Sequence, residues 1–364
     1  MLDPTHARFR PSHLRDLVRP LLGLMLAACL VGALSCTRAP SCPAFQDTLS
    51  IEDNALRCVS THVPPPAAGI AMVVVEHGDV LLRTSHGEVN QAEHLPATPS
   101  TPFYLASVSK PFTAMAVLLL VERGQLQLDD TLNHWFPETG ALWERVTVHH
   151  LLTHQSGIED YFVITGGGTP GMTNADVLEL VAERPLLFRP GSRHQYSNSG
   201  YALAATLVER ASGEDFATFL MDEVFTPLGM THSYVQTPAR EPDAYAVSYA
   251  PDGTALPYAL RTYGDGGIFA SADDLGRWLV AVGRGEILSA AMWERAFTSH
   301  QGRGYGYGFF LHQGGEDVIG HNGGLAGFRN VVRFDRARER GVVLLSNGAF
   351  DRWIVSLADA LMDD

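Results

Sequence analysis

Strand-like runs stand at the two ends of this chain and helical patterns fill the middle, and that division constrains the fold more than any other feature. Near the start, Ile70 to Val75 and Val80 to Arg83 are apolar and β-branched, joined through His77, Gly78 and Asp79 as in a β-hairpin. Towards the other end, Gly306 to His312, Asp317 to Gly320, Gly327 to Phe334 and Gly341 to Leu345 read as strands, with a closing helix after Phe350. Between them, Leu105 to Arg123 is a long apolar helical pattern closed by Gly124, the mark of a buried helix. Val148 to His154, Asn174 to Glu183, Gly200 to Ala211 and Asp215 to Val224 are further candidate helices, within a mainly α-helical lobe over about residues 125–260. Together these predict an α/β (α+β) fold: one central antiparallel sheet sewn from both chain ends, flanked by helices, with an inserted lobe.

The first 35 residues are of another kind. Arg8, Arg10, Arg15 and Arg19 precede an apolar run from Leu21 to Leu34 that is too short to span a bilayer comfortably, which reads as an export signal. Leu26 to Cys29 matches a lipobox well and Ala33 to Cys36 less well, yet the polar residues Thr37, Arg38 and Pro40 follow Cys36, so Cys36 is the lipidation candidate. Plain cleavage stays open beside it. Residues 36–67, ending in Pro64, Pro65 and Pro66, read as a linker, and the domain is expected over 68–364. Cys42 and Cys58 close a short loop and are disulfide candidates in an oxidising compartment, the alternative being two free thiols.

The net charge of −14 includes four arginines and two aspartates of the leader; without them 22 basic residues face 38 acidic ones, a balance near −16. So acidic a surface repels nucleic-acid backbones and anionic lipid heads, which leaves small-molecule substrates as the expected partners and any membrane contact to an N-terminal lipid.

Ser107 and Lys110 form an SxxK at the start of the long apolar helix, where residues three apart share a face and an amine can reach a hydroxyl. Pro111 lacks an amide hydrogen and is tolerated mainly in a first turn, which pins the helix start near Ser107 and aims backbone amides at charge developing there. Lys110 is the only lysine among 26 basic side chains. Arginine cannot deprotonate in a protein, whereas a lysine with a reference pKa of about 10.4 can be tuned, so a titratable amine is expected at this position. Tyr196 and Asn198, in Tyr-Ser-Asn, should lie on a loop facing that helix. A tyrosinate there would serve as general base. His321, Gly323 and Gly324 stand at a late strand, where glycines admit close backbone approach; the amides of Ser107 and Gly324 are the expected oxyanion hole, with His321 lining the site.

SxxK, then YxN about ninety residues on, then HxG on a late strand resemble the three-part signature of serine β-lactamases and penicillin-binding proteins. More narrowly the chain resembles the class C β-lactamase-related group, which includes DD-peptidases, D-amino-acid peptidases and carboxylesterases. The resemblance runs from about Ala68 to the end and includes His150 to Gly157, Phe188 to Gly191, Gly266 to Asp274 and Gly320 to Phe328. It implies a β-lactamase/transpeptidase-like fold; no cofactor is expected. It also implies Ser107 as acylated nucleophile, Lys110 and Tyr196 as the proton-transfer pair, Asn198 as a substrate-amide contact and His321 as third-motif residue. His321 and Asn322 stand where class C β-lactamases usually have Lys and Thr, which favours an ester or peptide bond over a β-lactam as substrate. The other readings are a cell-wall β-lactamase or DD-carboxypeptidase, and a non-catalytic ligand-binding homologue.

Other features carry less. His149, His150 and His154 lack a HExxH glutamate or a third acidic ligand and are expected to pack, with no metal site. Gly166 to Gly168 read as a surface loop. Tyr305, Tyr307, Phe309 and Phe310 read equally as cleft lining or as core.

Overall fold

The computed structural model describes residues 41–62, 68–237, 245–256, 260–302, 304–348 and 353–364. The leader, Cys29, Cys36 and the three prolines at 64–66 lie outside them. In chain order the principal elements are α1 (Ile51–His62), β1 (Ile70–Glu76), β2 (Asp79–His86), α2 (Ser109–Glu122), α3 (Val148–Leu152), α4 (Asn174–Ala182), α5 (Asn198–Ser212), α6 (Ala272–Gly283), β3 (Phe310–Leu311), β4 (Val318–Leu325), β5 (Phe328–Asp335), β6 (Arg340–Ser346) and α7 (Trp353–Asp363).

The sheet runs β3-β4-β5-β6-β1-β2 with every neighbouring pair antiparallel. Its seam is β1 against β6, in register from Ile70 opposite Ser346 to Glu76 opposite Arg340, so the two chain ends do meet. His77 and Gly78 turn the first hairpin with φ of 50° and 89°, the doubly positive pattern that matches strand twist.

Both faces of the sheet are covered, and the period-2 alternation sorts β1 between them. Ala71, Val73 and Val75 join the cluster that contains α2 and α6 residues, whereas Ile70, Met72 and Val74 join Ala55, Cys58 and Val59 of α1 and Trp353, Leu357 and Leu361 of α7. Full burial of such a side chain stabilises by roughly 1.5–3 kcal/mol. In α2 every residue from Ser109 to Leu120 is buried, so this helix has no solvent face and runs through the core.

Residues 41–62, read from sequence as part of a spacer, are instead folded onto the sheet. Apolar side chains of α1 fill its outer face, Asn54 holds the preceding turn through Gln46 O at 3.0 Å and Gln46 N at 2.9 Å, and a Cys42–Cys58 disulfide ties the two together. The expected strand Gly306 to His312 also shrinks, to Phe310–Leu311. Gly308, at φ 83°, turns the backbone so that it presses on α2, where an added Cβ would stand 2.9 Å from the Lys110 carbonyl oxygen. The Asp215 to Val224 helix is α-helical only over Phe216–Leu220 and continues as a π turn, Met221–Phe225. Tyr305, Tyr307 and Phe309 are buried and Phe310 half-buried.

Candidate active site

The chain enters α2 through a 3₁₀ turn, Ala106–Val108, that carries Ser107. Ala106 sits at φ 50°, in the left-handed region that a side chain resists, immediately before the half-buried serine. Neighbours hold the turn in place. Leu105 N donates to Ile268 O at 2.9 Å, and Asn330 Nδ2 on β5 donates to Tyr104 O at 2.9 Å and Leu105 O at 3.1 Å. Gly323 on β4 lies so close to Leu105 O that a Cβ would collide with it, which explains glycine there. The HxG segment thus lies within β4, beside the nucleophile turn, and does not end the strand, because Val332 to Phe328 pair with it residue by residue.

Lys110 Nζ is wholly buried and makes three hydrogen bonds: to Ser107 Oγ at 3.1 Å, Asn198 Oδ1 at 2.9 Å and Asp265 O at 2.9 Å. Two of these partners are carbonyls that can only accept, whereas the serine hydroxyl can accept from an ammonium or donate to a neutral amine. The geometry therefore serves both protonation states and lets a proton pass between Ser107 and Lys110 without rearrangement. The segment supplying Asp265 O is clamped to α2 as well, by Thr113 Oγ1 to Gly264 O at 2.7 Å and Ile268 N to Ser109 Oγ at 3.3 Å.

Tyr196 precedes α5, and Ser197 is that helix's N-cap, with its side chain accepting from Gly200 N. Lys110 Nζ lies 4.8 Å from the Tyr196 ring centroid. His154 packs on the same ring at 4.3 Å between centroids and His321 at 6.3 Å. His154, at φ 56°, fixes the loop by accepting from Ser197 N at 3.1 Å. Burial and the Lys110 charge push its pKa well down, so it stays neutral.

Asn198 is the first residue of α5, and its amide faces two partners: Oδ1 takes Lys110, while Nδ2 and the backbone N donate to Asp160 Oδ2 at 3.1 and 3.0 Å. Asp160 in turn caps the short helix Tyr161–Thr165 through Phe162 N. His321 is buried. Its Nδ1 bonds Asn322 O at 2.6 Å, so that nitrogen carries the hydrogen and Nε2 accepts from Tyr305 OH at 3.3 Å. Burial first, then the Lys110 charge, lowers its pKa to about 3, which makes it a neutral ring near Tyr196 and not a fixed cation.

Asp160, His154 and Asp265 were not singled out as site residues from sequence. Asp160 and Asp265 act across sequence separations of 38 and 155. The Gly266 to Asp274 resemblance stopped one residue short of Asp265, and His154 was read as packing, which is part of what it does. A cavity of about 450 Å³ elsewhere is lined by Val73, Arg83, Asp273, Arg277 and Arg284, and none of the residues above lines it.

This fold, with a serine at the head of a buried helix and a lysine one turn on, defines the class of β-lactamase/transpeptidase-like serine hydrolases. Known proteins agree. Penicillin-binding protein 4* of Bacillus subtilis (strain 168) is 30% identical over 305 residues, covering 76% of this chain and 67% of that protein. Esterase EstB of Burkholderia gladioli is 32% identical over 356 residues, covering 81% and 90%. The structure of an octameric penicillin-binding protein homologue from Pyrococcus abyssi superposes with a TM-score of 0.74 at 27% identity, over 84% of this chain and 75% of that one. The match to the Beta-lactamase family spans residues 63–361, and the chain belongs to that family.

Proposed function

We propose that this protein is an exported serine hydrolase that forms an acyl-enzyme at Ser107 and acts on small ester or peptide substrates. The observation that carries the reading is the buried Lys110 amine, 3.1 Å from Ser107 Oγ, with its other contacts filled by carbonyls. Ser107 Oγ attacks the substrate carbonyl carbon as its proton passes to the Lys110/Tyr196 pair. The amides of Ser107 and Gly324 receive the oxyanion, and collapse breaks the bond to the leaving alcohol or amine, which takes the proton back. Water then repeats the sequence and frees the acid. Asn198, Gly323 and His321 line the substrate path. Export is supported by the basic and apolar leader and by the Cys42–Cys58 disulfide, which suits an oxidising compartment, with Cys36 as the residue to carry a lipid.

Esterase activity is favoured over β-lactam hydrolysis because His321 is neutral, so the third-motif residue itself offers a substrate carboxylate no charge. The likeness to a penicillin-binding protein keeps a cell-wall DD-carboxypeptidase as the second reading. Hydrolysis of p-nitrophenyl butyrate by wild type and Ser107→Ala tests the first. Turnover confined to wild type, with an acyl adduct on Ser107 by mass spectrometry, is expected, and equal rates in both would remove Ser107 from the mechanism.

A further inference from the structure

The ammonium form of Lys110 has no charged partner among its three hydrogen-bond acceptors, although it is sealed from water. A buried cation is stable only where a compensating charge stands near it. Of the groups around the lysine, Tyr196 and Tyr201 present ring faces, while His154 and His321 are neutral. Two carboxyls remain. Asp160 is occupied by the Asn198 amide and backbone N and by Phe162 N. The other belongs to Asp265, the residue whose carbonyl already touches Nζ; the residue is 5% exposed.

One oxygen of that carboxyl, Oδ2, accepts from Tyr161 OH at 2.8 Å, and the same hydroxyl lies 3.0 Å from Thr262 Oγ1. The other, Oδ1, is buried with no hydrogen-bond partner. Such an oxygen is costly unless a nearby charge compensates it. We propose that the Asp265 carboxylate is the counter-charge of Lys110, a positioning residue that sets how readily the active-site amine gives up its proton. Burial raises the Asp265 pKa to about 6, while Lys110 and the Tyr161 bond pull it down and Asp160 pushes it up. The carboxylate therefore forms as the pH rises through about 6.

This inference rests on Lys110 taking part in the reaction, but its test does not require turnover. Because Lys110 is the only lysine, protein grown on lysine labelled with ¹³C at Cε gives one side-chain resonance for the whole chain. An opposite charge within about 4–6 Å shifts a pKa by about one to three units. In Asp265→Asn the Lys110 midpoint is expected to fall by at least about one unit, and the acid limb of the p-nitrophenyl butyrate pH–rate profile to move down with it. An unchanged midpoint in a folded variant overturns the proposal. Should Asp265→Asn fail to fold, wild type and Tyr161→Phe decide. Wild type is expected to show a minor inflection of the Lys110 resonance near pH 6, and loss of the Tyr161 bond, which favours the charged carboxylate, to move it upward. A flat wild-type curve between pH 5 and 7 overturns the proposal. An active Ser107→Ala would overturn the catalytic reading and leave these titrations as they stand.

Discussion

The two faces of the central sheet are built on opposite principles. The outer face, between the sheet and α1 with α7, is an apolar layer of Ile70, Met72, Val74, Trp353, Leu357 and Leu361, backed by a disulfide. The inner face packs against α2, whose first turn gathers Lys110, Asp265, His154 and His321 in full burial, next to left-handed Ala106 and His154. Buried charge and left-handed backbone of this kind cost stability. Apolar packing on both faces supplies the stability that lets the inner one hold such an arrangement.

If that division is right, changes on the two faces separate activity from stability. The largest effect is expected for Lys110→Arg, which keeps the charge but cannot give up a proton: ester turnover should fall by about a hundred- to ten-thousandfold. A steady-state assay checks this, and near-normal turnover would strip the inner face of its chemical role. Next comes acid. His321 binds a proton in the unfolded chain at about 6.5 but in the folded one only at about 3, so the unfolded state takes up more protons between those values. Stability should be intact above pH 6.5 and fall as the pH drops towards 3, by up to about 5 kcal/mol from this group, read by urea unfolding at stepped pH. His321→Asn should remove this group's share of that dependence, while buried His154 keeps its own. The smallest effect belongs to the outer face: replacing Cys42 and Cys58 by Ser should cost about 3 kcal/mol, for a sequence separation of 16, with kcat unchanged. A fall in kcat matching the loss of stability would join the two faces into one unit.

Local signals made the scaffold legible and left the site half-read. Apolar alternation located the strands at both ends, and Pro111 with the SxxK spacing put Ser107 and Lys110 at the head of a buried helix. Tyr196, Asn198 and His321 could be singled out because each belongs to a short motif. Asp160 and Asp265 belong to no such motif, and their meaning comes from burial beside a lysine far away in sequence. The helix Ile51–His62 was lost to the proline run that follows it, since its moderate apolar content looks like a spacer until the sheet face it covers is known. Gly306 and Gly308 misled in the other direction. Among alternating aromatics they looked like strand, but they turn the chain against Ala296 and Lys110.

The seam between β1 and β6 also fixes when this protein can begin to work. Ile70 cannot find Ser346 until the chain has been made through β6, so the sheet that backs the nucleophile's turn closes through a contact between residues far apart in sequence. Folding dominated by such long-range pairing is slow. A chain stopped short of β6 would carry Ser107, Lys110 and Tyr196 and still have no site, because β4 and β5, which hold the serine's turn in place, would lack the strand that joins them to β1.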